Sequence, residues 1–309
     1  MLSLSTSWGI GSQKSGREII DAARDLGFEA LELNYQFPKR FLKEIVNGHK
    51  RGELKITSLH NICPFTKELA SYADFFKRFN FSSPKKDVVK MAMKYTKGTI
   101  DLAAKLRASA VVLHVGEVEL ENNSQREMER EFRRSLKTNF GPEEHVRKTR
   151  EKFIELRRQH APPFLERTIQ NLGEVLKYAE DKGVKLGVEN RYFFFEIPSF
   201  EEIPIILRQL PSPGLGYWHD CGHAAHLRNI GYFPGMTPLS ENRQRLIGIH
   251  LHDCIGVNDH LAPGYGEVDF LEVKKLLNEK VIRVLELGPW VTHQEVKRGV
   301  EYLSRMGID

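Results

Sequence analysis

Short apolar runs alternate along the chain with longer segments of helical periodicity. Runs such as "MLSLST", "AVVLHVG" and "KLGVEN" are apolar almost throughout, which is typical of parallel strands covered on both faces. Longer segments such as "SGREIIDAARDLGF" place apolar residues three and four positions apart and end near a glycine, as amphipathic helices do. The pattern therefore predicts strands and helices in alternation.

Eight such strand segments occur, each followed by a helix-like stretch. Eight β/α units in a chain of 309 residues predict an α/β fold, specifically a (β/α)8 TIM barrel. The alternative is a doubly wound open sheet, which usually carries a glycine-rich phosphate turn after its first strand. The corresponding stretch here, "STSWGIGSQ", has two glycines but lacks that fingerprint. We therefore predict a single TIM barrel domain over residues 1–309.

One charged, helix-prone segment interrupts the alternation, at residues 117–167 between the fourth strand and its helix. We predict a helical insertion there, with breaks at Gly141-Pro142 and at Pro162-Pro163. It is either a solvated excursion or a lid or oligomer contact over the barrel mouth, because the βα loops of this fold lie on the catalytic face.

Composition restricts the binding partners and the cellular compartment to be expected for the protein. The net charge is +5 but the charges are mixed in sign, without a long Lys/Arg block, so nucleic acid is only weakly indicated. Three cysteines, Cys63, Cys221 and Cys254, show no paired spacing, which favours a reducing compartment. The first residues lack the pattern of a signal peptide, and no apolar run approaches the roughly 20 residues of a membrane span. We expect a cytoplasmic protein with no membrane contact.

Most of the predicted strands end in a histidine or an acid, and these ends meet at one mouth of a TIM barrel. Clustered carboxylates repel one another unless a cation lies between them. Mixed His, Asp and Glu ligands suit Zn, Mn, Fe or Co. The sequence therefore predicts a metal site at the mouth. The residues at or just beyond these strand ends are His60, His114, Glu189, Asp220, His223, His250, His252, Asp253 and Glu286.

The stretch "GYWHDCGHAAH", residues 216–226, holds an acid among three histidines. We predict that Asp220 is a ligand and that His219, on the opposite face of a regular strand, is structural. His226 follows His223 by three residues and is expected either in a supporting role or as a ligand.

At these residues the chain resembles the xylose-isomerase-like TIM barrel superfamily, which includes sugar isomerases, ketose 3-epimerases, inosose dehydratases and abasic-site nucleases of the endonuclease IV type. The resemblance covers nearly the whole chain in strand order. It is carried by "GVEN" at 187, "WHDCGHA" at 218, "IHLHD" at 249, "DHLAPGYGEVDF" at 259 and "LEL" at 285.

The epimerase-like members imply one divalent ion, here Mn, Zn, Co or Mg, held by Glu189, Asp220, His250 and Glu286. They also imply that Glu189 and Glu286 move protons at the carbon beside a carbonyl. His223 would contact substrate oxygens, and Arg191 would bind a substrate anion or pair with an acid on the rim. The resemblance thus implies a metal-dependent isomerase or epimerase of a sugar or sugar phosphate, and it leaves a homo-oligomer open.

The nuclease-like members imply a different centre, of three zinc ions. His60 and His114 would hold one ion bridged by Glu189, and His223 and a downstream Asp-x-His motif would hold another. This chain has Asn258 where that motif would begin, with Asp259 moved next to His260, which puts the third ion in doubt.

Two further features bear on this choice. The acids of "HVGEVELE" would repel a DNA backbone, so we do not expect nucleic acid as a partner. The aromatic residues of "NRYFFFEIPS" could wall a sugar pocket, wedge a base stack or pack under the insertion. A metal-dependent phosphodiester hydrolase is the alternative function.

The histidines outside the four-ligand set have two open roles. His60 and His114, or His223 and His260, could hold a second ion or could bind substrate hydroxyls. The turn residues of "DHLAPGYGEVDF" predict that His260 lies near His223, with Asp259 beside them.

Overall fold

Eight parallel strands form a closed barrel. The structure is a computed structural model that describes residues 1–9, 13–65, 77–137, 143–232, 240 and 242–308. β1 pairs with both β2 and β8, which closes the ring, so the predicted (β/α)8 TIM barrel is confirmed. The strands are β1 (Leu2–Ser5), β2 (Ala30–Leu33), β3 (Lys55–His60), β4 (Ala110–Leu113), β5 (Lys185–Glu189), β6 (Leu215–Asp220), β7 (Leu246–Leu251) and β8 (Ile282–Leu285).

Helices follow the strands and cover the outside of the barrel. Their starts follow ordinary capping chemistry: the Thr292 hydroxyl accepts from the backbone N–H of Glu295, whose side chain reaches back to complete a capping box. The helices within the described ranges are α1 (Gly16–Asp25), α2 (Leu42–Lys50), α3 (Lys86–Lys105), α4 (Ser124–Lys137), α5 (Glu143–Asp181), α6 (Glu202–Gln209), α7 (Cys221–Asn229), α8 (Phe270–Leu276) and α9 (His293–Arg305). None of them combines the length and the apolarity needed to cross a membrane.

A small apolar cluster fills the barrel interior below the mouth. It consists of Ala110, Val112, Trp218 and Val284, all fully buried. Gly248 makes room for the indole, because a Cβ there would lie 2.1 Å from a ring carbon of Trp218. The indole in turn packs 5.3 Å from the His250 ring, centroid to centroid. This cluster lies directly beneath the strand-end residues, and we call it the barrel floor.

Helices α4 and α5 occupy the charged stretch after β4. The predicted break at Pro162-Pro163 is wrong, because α5 runs through both prolines. Buried side chains on either side, Phe153 and Leu172 among them, hold the helix against the protein and offset the backbone hydrogen bonds that proline cannot make. Gly141-Pro142 lies outside the described residues. α5 then continues to Asp181 as the helix between β4 and β5.

The insertion packs on the aromatic loop that follows β5. The Arg133 guanidinium lies 3.8 Å from the centre of the Tyr192 ring, and Arg157 donates to the Phe194 carbonyl at 2.6 Å. The carboxylate of Glu129 accepts from the backbone N–H of Phe195 at 2.8 Å, and the Phe195 ring is buried against Phe153. This part of the loop therefore packs under the insertion.

Candidate metal centre and active site

Four adjacent strands, β5 to β8, each contribute one side chain to a buried group at the barrel mouth. Glu189 and Asp220 end β5 and β6, His250 is the next-to-last residue of β7, and Glu286 directly follows β8. The ligand atoms of these four residues all lie within 4.8 Å of one another. The structure thus brings together the whole ligand set that the family resemblance implies.

The His250 Nδ1 atom faces all three carboxylates of this group. It lies 2.7 Å from Glu189 Oε1, 2.9 Å from Glu286 Oε2 and 3.5 Å from Asp220 Oδ2. Burial alone would raise the pKa of Glu286, but the adjacent His250 ring overrides this effect and lowers that pKa to about 2. Neighbouring histidines, His223 first, likewise hold the pKa of Asp220 well below its usual range despite burial. The carboxylates are therefore ionised at neutral pH, which is the form that binds metal.

Glu32 is a member of the site that the sequence analysis missed. It is fully buried on β2 and accepts hydrogen bonds from the hydroxyls of Ser5 at 3.2 Å and Ser58 at 2.7 Å. Its carboxylate also lies 3.1 Å from His250 Nε2. A second missed residue, Asn34, donates to Glu286 Oε1 at 2.9 Å. The only sequence signal was an acid inside the apolar run "ALELN", which a buried strand tolerates only if the acid has partners.

His60, His114 and Arg191 surround the other side of Glu189. The two imidazole rings lie 4.4 Å apart, centroid to centroid. Their Nε2 atoms lie 3.6 Å and 2.9 Å from Glu189 Oε2. Arg191 donates to the same oxygen, to Glu196 at 3.2 Å, and approaches His114 Nδ1 at 3.0 Å.

Arg191 is almost fully buried, so it lies within the cluster rather than on the rim. Of the two expectations for it, the structure shows pairing with acids, and binding of a substrate anion stays a prediction. Burial, together with the nearby Arg191 charge, lowers the pKa of His114 well below its usual range. His114 is therefore a neutral imidazole.

A third group lies beyond Asp220, around the start of α7. The Asp220 side chain caps α7 by accepting from the His223 N–H at 2.7 Å. The rings of His223 and His260 are 5.6 Å apart, and Asp259 Oδ2 lies 3.7 Å from His223 Nε2. His252 stacks on His260 with centroids 4.2 Å apart. His223 and His260 thus share one face of the mouth, with the Asp259 carboxylate close to both rings.

Three of the candidate residues have structural roles outside the ligand groups. His219 Nδ1 lies 2.6 Å from the Tyr217 hydroxyl, away from the ligand groups, and His226 stacks on Tyr192 at 4.1 Å. Asp253 accepts from the backbone N–H groups of Cys254, Gly264 and Val268. It therefore holds the loop that carries His260 in place.

Over residues 20–306 the chain matches the family described as xylose isomerase-like TIM barrel. The protein belongs to this family. A curated relative, an uncharacterized protein of Methanocaldococcus jannaschii, is 32% identical over 128 residues. That match spans 40% of this chain and 43% of the relative, so less than half of the relative's length is matched.

Solved structures share the fold over nearly the whole chain. A D-tagatose 3-epimerase-like protein is 21% identical with a TM-score of 0.67, covering 99% of this chain and 96% of that one. D-psicose 3-epimerase from Clostridium cellulolyticum H10, solved with D-tagatose, is 15% identical with a TM-score of 0.65, covering 100% and 99%. The IOLI protein with a binding zinc atom is 13% identical with a TM-score of 0.62, covering 100% and 96%. At these identities the likeness establishes the fold.

Proposed function

We propose that this protein is a metal-dependent isomerase or epimerase that moves a proton at the carbon beside the carbonyl of a sugar or sugar phosphate. The observation that carries the proposal is the convergence of three ionised carboxylates on His250 Nδ1 at the barrel mouth. Three carboxylates and one imidazole form a donor set that fits Mn, Zn, Co or Mg. Support also comes from the fold neighbours, which include enzymes named as sugar 3-epimerases.

A divalent ion held by Glu189, Asp220, His250 and Glu286 would polarise a substrate carbonyl and stabilise negative charge developing on its oxygen. The two glutamates come from different strands, so they can flank one substrate carbon. Glu286 is ionised at neutral pH and can accept a proton from that carbon. Return of a proton to the opposite face would give the epimer, and return to the neighbouring carbon would give the isomer.

Glu189 and Glu286 have different hydrogen-bond partners, and this difference indicates which of them abstracts the substrate proton. Glu189 Oε2 is fixed by Arg191 and lies against His114, whereas Glu286 Oε1 has a neutral amide partner in Asn34. We assign the first proton abstraction to Glu286, the less restrained carboxylate. His60 and His223 face the same mouth and are proposed to bind substrate hydroxyls, with His114 and His260 beside them.

The test is exchange of a substrate C–H proton with deuterated solvent, followed by NMR over a panel of ketoses and ketose phosphates. We expect the native protein loaded with Mn, Co, Zn or Mg to incorporate deuterium into at least one of them. Glu286→Gln should lower that rate by about 10²- to 10⁴-fold. Glu119→Gln, which changes an acid bound to Asn80 away from the cluster, is the matched control and should exchange normally. Absence of exchange across the panel would contradict the proposal.

A metal-dependent phosphodiester hydrolase is the second candidate, and one observation favours it. Besides the four-residue group, the described residues contain His60/His114/Glu189 and His223/His252/His260 within ligand distance, which would suit more than one ion. Its test is metal-dependent cleavage of abasic duplex DNA, with binding that weakens steeply as salt rises. Cleavage without C–H exchange would replace the isomerase proposal.

A further inference from the structure

Arg191 contacts two of the three residues, Glu189 and His114, in the His60/His114/Glu189 group that would hold a second ion. Its guanidinium donates to Glu189 Oε2 and lies 3.0 Å from His114 Nδ1. A further bond to Glu196 fixes the guanidinium from behind. All of these side chains are almost completely buried, so solvent does not offer them other partners.

This contact determines which nitrogen of His114 carries the proton. Arginine has donors and no acceptor, so Nδ1 must accept. A neutral imidazole then carries its hydrogen on Nε2. Nε2 is the atom that faces Glu189, at 2.9 Å, and a metal ligand needs a free lone pair there. His114 Nε2 therefore carries a hydrogen rather than the lone pair that a metal ligand needs.

The other protonation states of His114 are disfavoured. The reversed tautomer would put an Nδ1–H group against the N–H groups of Arg191, and the doubly protonated ring would add charge repulsion to the same clash. A bound ion at Nε2 would require Arg191 to leave.

The same arrangement gives the two carboxylate oxygens of Glu189 different partners. Its Oε1 faces His250 at 2.7 Å and the four-residue group, whereas its Oε2 is held by Arg191. A carboxylate that bridges two ions, with one ion on each oxygen, needs both oxygens free for metal. Glu189 therefore has one oxygen for an ion and one for the guanidinium.

The same reasoning gives the opposite result at His250. Its Nε2 faces the carboxylate of Glu32 at 3.1 Å, an acceptor when ionised, so the ring keeps a hydrogen on Nε2. Nδ1 faces the three carboxylates and is the nitrogen that would hold an ion, which would displace the proton that these carboxylates otherwise keep there. The hydrogen-bond partners thus point His250 Nδ1 toward the site of an ion, whereas they keep a hydrogen on His114 Nε2 so that it does not bind one.

We propose that Arg191 is a positioning residue that closes the His60/His114/Glu189 group to a second metal ion, its guanidinium taking the place of that ion. The inference rests on the proposed function, because it presumes an ion at Glu189, Asp220, His250 and Glu286. It also separates the two candidate functions, since a hydrolase with Glu189 as bridge would need the group open.

Metal counting tests the inference. The native protein, Arg191→Ala and Arg191→Met would be stripped with a chelator, reloaded with Zn²⁺ or Co²⁺, desalted and analysed by mass spectrometry. We expect each Arg191 variant to retain one more ion per chain than the native protein. Adding His114→Ala should remove that extra ion, while His114→Ala alone should leave the native count unchanged. Arg126→Ala, which removes an arginine paired with Glu117 outside the cluster, is the matched control and should keep the native count.

A second measurement does not depend on the folding of any variant. Long-range ¹H–¹⁵N spectra of the native protein with labelled histidine should show His114 with a proton on Nε2 and none on Nδ1. An Nδ1–H tautomer, an unchanged ion count in both Arg191 variants, or loss of an ion on His114→Ala alone would each overturn the inference and leave the proposed function standing. A native chain that retains no ion would contradict the proposed function and the inference with it.

Discussion

Among single residues, Glu32 has the clearest effect on the proposed metal centre, although it is not a proposed ligand. Its carboxylate lies 3.1 Å from His250 Nε2 and is held by Ser5 and Ser58. A carboxylate acceptor at this nitrogen fixes the ring orientation and makes Nδ1 a better donor to metal. We predict that Glu32→Gln weakens metal affinity by about 10- to 100-fold, measured by competition with a chromophoric chelator.

The control for this prediction keeps the charge. Ser58→Ala removes one hydrogen bond to Glu32 but leaves the carboxylate beside His250, so its loss of affinity should be smaller. Equal affinities for native protein and Glu32→Gln would show that Glu32 does not act through His250.

The sequence was informative at residues whose position along a strand fixes their place in space. Asp220, His250 and Glu286 lie at strand ends, and parallel strands bring their carboxyl ends together, so their meeting was predictable. Glu32 lies within β2, where only the partners across the barrel explain an acid. The tautomer of His114 depends on Arg191, a contact between two strand-end loops that spacing along the chain does not encode.

At the level of whole elements, α4 is tied to the loop after β5 through a carboxylate with an unusual pKa. Burial raises the pKa of Glu129 to about 7, while its Oε1 accepts from the Phe195 N–H at 2.8 Å. As pH rises from about 4.5 to 7, the unfolded chain releases this proton while the folded chain keeps it. Native stability from this residue is therefore lost over that window and stays lost above pH 7.

We predict that Glu129→Gln is nearly neutral at pH 4.5 and stabilises the protein by roughly 1–3 kcal/mol at pH 8, because the amide keeps an acceptor for Phe195 without a buried charge. Urea unfolding at the two pH values measures the difference. Glu131→Gln, on the exposed side of α4, is the control and should not gain stability with pH. A Glu129→Gln effect that is the same at both pH values would contradict the linkage.

Strand β7 carries a second element-scale prediction. A Cβ at Gly248 would meet the Trp218 ring at 2.1–2.4 Å, and both residues lie in the closed barrel. Gly248→Ala should therefore destabilise the protein by about 1–3 kcal/mol. Gly98→Ala on α3 has open space around it and should stabilise by about 0.5–1 kcal/mol. If denaturant unfolding ranked the two the other way, the barrel floor would not be packed as described.

Element types were more predictable than element limits. Eight strands were recognisable because parallel, doubly covered strands are apolar on both faces. The continuation of α5 through Pro162 and Pro163 was not, because local propensity disfavours it and only the packing around Phe153 and Leu172 overrides that preference.

For the molecule as a whole, the proposed ion would link the four strands of one half of the barrel. Its four ligands come from β5 to β8, and Glu32 and Asn34 beside them come from β2 and the residue just after it. Binding to the folded chain alone adds stability by mass action, about 2.7 kcal/mol when free ion exceeds its Kd by 100-fold. Removal of metal with a chelator should therefore lower the Tm by several degrees.

Asp220→Asn is the decisive comparison for this last prediction. It keeps the size of the side chain and an oxygen that can cap α7 at His223, but removes one anionic ligand. We expect its Tm to respond to added Mn²⁺, Co²⁺ or Zn²⁺ much less than the native Tm does, in differential scanning calorimetry at fixed pH. A native Tm that is identical with and without these ions would mean that the four strand-end residues do not bind metal in the folded state. An equal response in Asp220→Asn would place the ion elsewhere, because the group at the barrel mouth would then not be its site.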